Sequence, residues 1–106
     1  MAIQLTQRNA RDIAVQYANV LSAVFAVRQI ILFGSAAKGT AREDSDIDIA
    51  VSAEDFSGDK IDDLFQLMKL RRGIDTRIEP HPFLFDEFNE KNPMVAEIIK
   101  TGIRIV

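Results

Sequence analysis

Apolar and polar positions recur along this chain with two different periods, and the switches between them mark out its elements. From Thr6 or Asn9 to about Val27, the residues Ile13, Tyr17, Val20, Leu21 and Val24 fall at helical spacing and predict one apolar stripe. Tyr17 on that stripe reads as a packing residue. Ile30-Ile31-Leu32-Phe33 is a continuous apolar run, which suits a strand covered on both faces. A polar stretch of small residues follows. Then Asp46 and Asp48 alternate with Ile47, Ile49 and Val51, the period of a second strand.

Beyond it, residues 54–59 read as a loop, with Ser57-Gly58-Asp59 as turn and cap residues. Residues 60–72 predict a second long helix with Ile61, Leu64, Phe65 and Met68 on its buried face. Asp62 and Asp63 near its start, and Lys69, Arg71 and Arg72 near its end, read as solvated charges matched to the helix dipole. Gly73 is expected to end it. Residues 74–79 predict a third strand, with Ile74, Thr76 and Ile78 on one face and Asp75, Arg77 and Glu79 on the other. Pro80-His81-Pro82 is expected to stop that strand. Phe83, Phe85 and Phe88 are expected as core aromatics. Asn92-Pro93 is a helix start, Gly102 the end of that helix, and residues 103–106 a short edge strand.

Composition alters this picture little. A chain of 106 residues is read as one domain, 1–106, large enough for one modest core. Its apolar share of 47% and charged share of 27% are those of an ordinary globular domain. A net charge of −3 argues against a nucleic-acid backbone as main partner, since that footprint is basic. With no cysteine there is neither a disulfide framework nor a thiolate metal site. No apolar run has signal-peptide character or bilayer length, so the expected setting is cytoplasmic, away from membranes.

The chemistry gathers between Leu32 and Val51. Asp46 and Asp48 share one strand face with their Cα atoms roughly 7 Å apart, close enough to converge on one ion. Unneutralised, two such carboxylates repel each other, and a divalent cation removes the conflict. Gly34 follows the first strand and lets the backbone approach a ligand closely. Ser35 reads as the N-cap of a short helix over Ala36-Ala37-Lys38, whose unpaired N–H groups suit an anion. Lys38 and Arg42 are phosphate candidates by charge and position.

Gly34-Ser35, ten residues, then Asp46-Ile47-Asp48 resembles the signature of the DNA polymerase β-like nucleotidyltransferase superfamily. With Gly39 and Ser45 in place, the run is similar to the minimal nucleotidyltransferase (MNT) branch, which includes the antitoxins of HEPN–MNT toxin–antitoxin pairs. The resemblance covers most of the chain. It implies an α/β two-layer fold, a mixed sheet of about four strands with helices packed on one face. It also implies Mg²⁺, two ions, held by Asp46, Asp48 and a third carboxylate that serves the attacking hydroxyl. Asp75 is the first choice for that role, because Ile74-Asp75-Thr76-Arg77-Ile78 resembles the strand that carries it in polymerase β; Glu79 is the runner-up. Ser35 is expected on the terminal phosphate, with Gly34 permitting the approach. Lys38 departs from the arginine common in MNT sequences and cannot make a planar bidentate contact. Arg77 is expected to pair with Asp75 or Glu79. His81 is expected to be a loop residue fixed by two prolines, outside the site.

The activity implied is transfer of a nucleoside monophosphate, AMP from ATP, to a hydroxyl, with release of pyrophosphate. With no second domain expected, the acceptor and part of the nucleotide pocket are expected from another chain: a HEPN ribonuclease toxin modified on a Tyr near its active site, with a homodimer as the alternative source of the missing wall. The rival reading is a binding module that neutralises its partner by covering it. A nucleic-acid-modifying role is a distant third.

Overall fold

The computed structural model describes residues 5–106; the first four positions of the expected domain lie outside the described residues. The chain runs α1 (Gln7–Ser22), β1 (Val27–Phe33), α2 (Gly34–Lys38), β2 (Ile47–Ala53), α3 (Lys60–Leu70), β3 (Ile78–Leu84), α4 (Pro93–Thr101) and β4 (Ile103–Arg104). The four strands form one mixed sheet in the order β3-β2-β1-β4. β1 is antiparallel to β2 and β4, whereas β2 and β3 are parallel. This is the expected α/β sheet.

Thr6 caps α1 by accepting the Asn9 N–H at 3.0 Å, and Ala10, Ala14, Tyr17, Ala18 and Leu21 form its buried stripe. Three alanines on that stripe let the helix lie close against the sheet. Tyr17 is fully buried and its O–H donates to the Leu67 carbonyl at 2.6 Å, so it is a packing residue whose polar tip is satisfied. Burial pushes its phenol far above the ordinary range. The helix stops at Ser22, earlier than the periodicity suggests, and Val24 lies beyond it, exposed.

α3 is rotated from the expected setting. Ile61 is 82% exposed and Phe65 56%, while Asp63 and Leu67 are buried. Asp63 is what turns the helix. Its Oδ1 accepts from both the N–H and the hydroxyl of Ser57 at 2.9 Å, and its Oδ2 accepts the Gly58 N–H at 3.2 Å. A carboxylate with three donors can be buried at acceptable cost. Asp63 is therefore a loop anchor rather than a solvated dipole charge. Asp59 caps the same helix as expected, accepting from Ile61 and Asp62.

β3 begins four residues later than expected and runs through both prolines. Ile47 N–H donates to the Arg77 carbonyl at 2.8 Å, so odd-numbered residues of this segment turn their backbone groups toward β2. Pro80 and Pro82 fall on the alternate positions, where an edge strand has no ladder partner to lose. The outward carbonyl of Ile78 is taken by Arg71 Nη1 at 2.6 Å.

The sheet has two unequal faces. Ile30, Leu32, Ile47, Ile49, Val51 and Ile78 pack against α1 and α3 in the main core. On the other face, Ile31 and Ala50 pack with Phe88 and with Val95 and Ile98 of α4. So three helices share one face, as expected, but α4 covers part of the other. Phe83 and Phe88 meet there with ring centroids 5.2 Å apart, whereas Phe85 is half exposed rather than part of the core. What α4 leaves uncovered is the face that carries Asp48. Among the described residues, no helix is long and apolar enough to cross a membrane.

Candidate active site

Register brings the chemistry together. Phe33 pairs with Asp48 across β1 and β2, and Asp48 pairs with Glu79 across β2 and β3. Asp48 thus stands between the turn that ends β1 and the start of β3. Gly34, at φ +73°, makes that turn in the left-handed region. A Cβ on Gly34 would lie 2.5 Å from Asp48 Oδ2, so only glycine lets the two approach. The other carboxylate oxygen, Oδ1, lies 3.1 Å from His81 Nε2.

One ligand atom each from Asp48, Glu79 and His81 lies within 4.8 Å of the others. Asp46, one residue before β2, stands outside that group of three and beside it, within hydrogen-bond reach of Glu79. A hydrogen bond with Asp46, partial burial, and the charges of Asp46 and Asp48 push the Glu79 carboxyl above its usual range, with His81 opposing them. Such a donor set, two carboxylates and an imidazole with a further carboxylate beside them, fits a divalent cation.

Asp75 is not brought into this group. It lies in the turn before β3, and its carboxylate is held by Arg77: Nε donates to Oδ1 at 3.0 Å and Nη2 to Oδ2 at 2.7 Å. Hydrogen bonding to Arg77 holds the Asp75 carboxyl below the usual range, against the opposing effect of burial. The expected Arg77–Asp75 pairing is present. Arg77 Nη1 also donates to the Glu43 carbonyl at 2.7 Å, tying this turn to the loop that leads into Asp46.

On the Gly34 side, α2 spans only five residues, and its N-cap is Phe33 rather than Ser35. Ser35 sits inside the helix, and its carbonyl accepts the Thr40 N–H at 3.1 Å. Lys38 is exposed and shares a cleft of about 270 Å³ with Phe33, Gly34 and Met94. Arg42 is also exposed, in a loop fixed by its own N–H donating to Ser45 Oγ at 2.8 Å. On the opposite side of Asp48, a larger cleft of about 550 Å³ opens along β3. Asp46, Glu79 and His81 line one part of it, and Leu64, Met68, Phe83 and Met94 give it an apolar wall, with Lys60 and Arg71 among its other neighbours.

His81 is the residue the sequence reading leaves out. Its signal is the two-residue step from Glu79 to His81, visible only once the strand is carried through the prolines. Its ring packs against Phe33 with centroids 5.0 Å apart.

The chain's fold is similar to that of a solved structure of a candidate nucleotidyltransferase from Sulfolobus solfataricus. The TM-score is 0.61 at 18% identity, covering 92% of this chain and 80% of that one. A search of curated protein sequences finds no match. Residues 11–106 match the family described as Polymerase beta, Nucleotidyltransferase, and the chain belongs to that family.

Proposed function

We propose that this protein transfers AMP from ATP to a hydroxyl acceptor and releases pyrophosphate. The observation that carries the reading is the position of Asp48, in close approach to Gly34 through one oxygen and to His81 through the other. The candidate cation site and the glycine turn that opens α2 are thereby adjacent.

Asp48 and Glu79, with Asp46 beside them, would hold the divalent cation that such a carboxylate set takes with nucleotide phosphates, Mg²⁺ being the ion the resemblance implies. When bound, that cation neutralises the phosphates and the charge that builds up during transfer. Gly34 admits the triphosphate, Ser35 donates to it, and Lys38 and Arg42 bring positive charge. Glu79 takes the role of third carboxylate, orienting the acceptor hydroxyl, because the Asp75 carboxylate is already held by Arg77. The acceptor oxygen bonds to the α-phosphorus as the bond to the pyrophosphate oxygen breaks, and the hydroxyl proton passes to the Glu79 carboxylate. The chain's own part is placement and electrostatics, as in phosphoryl transfer generally.

The acceptor side is the larger cleft, on the β3 side of the carboxylates. A Tyr hydroxyl of a HEPN-type toxin is the acceptor we propose, making the protein an antitoxin that works in the cytoplasm; a homodimer, in which a second copy closes the cleft, is the alternative. Ile61 and Phe65, exposed on α3, favour a partner chain, since apolar side chains grouped on a surface mark contact sites. The same exposed face favours a second reading, a module that neutralises its partner by covering it.

Mass spectrometry of the partner after incubation with the protein, ATP and Mg²⁺ separates the two. The expected result is added AMP on a partner hydroxyl, lost with Asp46→Asn/Asp48→Asn. A partner neutralised without added mass makes the protein a cover.

A further inference from the structure

The donor set on the open sheet face is not made of carboxylates alone. His81 follows Glu79 by two residues on β3 and so shares its face. Its ring is held against Phe33, and the two flanking prolines fix the backbone on either side. An imidazole so placed gives up little conformational freedom on binding.

The spacing suits ligation. His81 Nε2 and Asp48 Oδ1 are 3.1 Å apart. Two donors on neighbouring corners of an octahedron, with bonds of about 2.1 Å, stand about 3.0 Å apart. In the ion-free protein this contact is a hydrogen bond, and its length matches that of two adjacent ligands of one small ion with the cation in place of the shared hydrogen; a Glu79 oxygen lies within 4.8 Å of both.

We infer that His81 is a ligand, through Nε2, of the cation held by Asp48 and Glu79, and that the site takes Mn²⁺ in preference to Mg²⁺. This rests on the proposed metal-dependent transfer and names its ion. Mg²⁺ is hard, keeps its water and takes oxygen ligands, so an imidazole in its shell is a poor match. Mn²⁺ shares the octahedral, oxygen-rich habit of Mg²⁺ yet, as a softer transition ion, accepts an imidazole nitrogen more readily, while the ions above it in the transition series suit sites richer in nitrogen. The closed tetrahedral cage that zinc favours is absent among the described residues, since the group offers one histidine and the chain no cysteine.

His81 is the sole histidine of the chain, so isotope labelling addresses it uniquely. The experiment binds Mn²⁺ to tag-free protein and reads electron spin-echo envelope modulation, with natural and with ¹⁵N-labelled histidine. The expected result is directly bonded ¹⁴N modulation that is replaced by the ¹⁵N pattern on labelling. In parallel, Mg²⁺ competes against Mn²⁺ on parent and His81→Gln protein. The Mn²⁺-over-Mg²⁺ preference is expected to fall by about tenfold or more in the variant.

Bound Mn²⁺ without histidine nitrogen coupling overturns the inference and leaves the carboxylate site standing. An unchanged preference in folded His81→Gln protein does the same. No Mn²⁺ binding to the parent, with or without ATP, overturns both the inference and the metal-dependent function beneath it. Should His81→Gln fail to fold, the labelling arm decides alone.

Discussion

Gly34 and Asp48 occupy space that only a glycine can share: a Cβ at position 34 would stand 2.5 Å from Asp48 Oδ2. The closeness follows from the Phe33–Asp48 register and from the left-handed turn directly after Phe33. Gly34→Ala should therefore act twice. The turn is strained by about 1–2 kcal/mol for a non-glycine residue in that region, and the new methyl displaces the carboxylate. Urea unfolding should show a loss of that order or somewhat more, with cation binding weakened further than stability accounts for. Unchanged stability and binding would mean that the approach is not structural.

Glu79 provides a pH test. Its carboxyl is pushed up, first by hydrogen bonding with Asp46, so the folded state holds this proton more tightly than the unfolded chain does. Where the folded state binds more protons, stability falls as pH rises. The fall lies between the ordinary Glu range and the raised value. In metal-free protein, Glu79→Gln should flatten that part of the stability–pH curve and be no less stable than the parent at neutral pH. A divalent cation should remove the effect in the parent by neutralising the group. Marked destabilisation of Glu79→Gln at neutral pH would show the carboxylate to be structural.

The paired aspartates, the glycine turn and the order of helices and strands are legible because each is written in consecutive residues. Three features are not. The stripe at Ile61, Leu64, Phe65 and Met68 fits a helix as well as Asp63 and Leu67 do; the choice is made by Ser57 and Gly58, which pull Asp63 inward. The third strand is misplaced because Ile74, Thr76 and Ile78 alternate as a strand should, while prolines in the true strand read as stops. Only the register with β2 shows that Pro80 and Pro82 face away from the ladder. His81 is lost with that boundary, since it joins Asp48 only when β3 is extended past Pro80.

Asp75 and Glu79 separate by mutation. The Asp75 carboxyl is held low by hydrogen bonding to Arg77, so its contribution is present above the ordinary carboxylate range and lost as pH falls through the lowered value. Asp75→Asn should lose that contribution at neutral pH, at most about 1 kcal/mol for a partly exposed ion pair, and match the parent once the pH has fallen below the lowered value. Metal affinity should change little, because Asp75 stands outside the group formed by Asp48, Glu79 and His81. Isothermal titration with Mn²⁺ on Asp75→Asn and Glu79→Gln reads the contrast. If Asp75→Asn abolishes binding while Glu79→Gln leaves it intact, the third carboxylate has been placed on the wrong residue.

The rotation of α3 yields the last prediction. Leu67 is fully buried and its carbonyl accepts the Tyr17 hydroxyl, whereas Ile61 and Phe65 stand on the solvent side of the same helix. Leu67→Ala should cost about 2–5 kcal/mol by opening a cavity. Ile61→Ser, at an exposed position, should change stability by no more than about 0.5 kcal/mol, and Phe65→Ser, which also removes the ring under the Lys69 ammonium, by about 1 kcal/mol at most. Ile61 and Phe65 remain in the folded protein as apolar surface beside the larger cleft, whose wall includes Leu64 and Met68 from the same helix. If that surface seats the acceptor-bearing partner, the two serine variants should weaken the complex by tenfold or more, roughly 1.4 kcal/mol, while Mn²⁺ affinity stays at the parental value. Association measured by surface plasmon resonance, beside the metal titration, reads both quantities. Serine variants that bind the partner as the parent does would move the contact surface off α3, and a loss of metal affinity would mean that Ile61 and Phe65 act on the site itself.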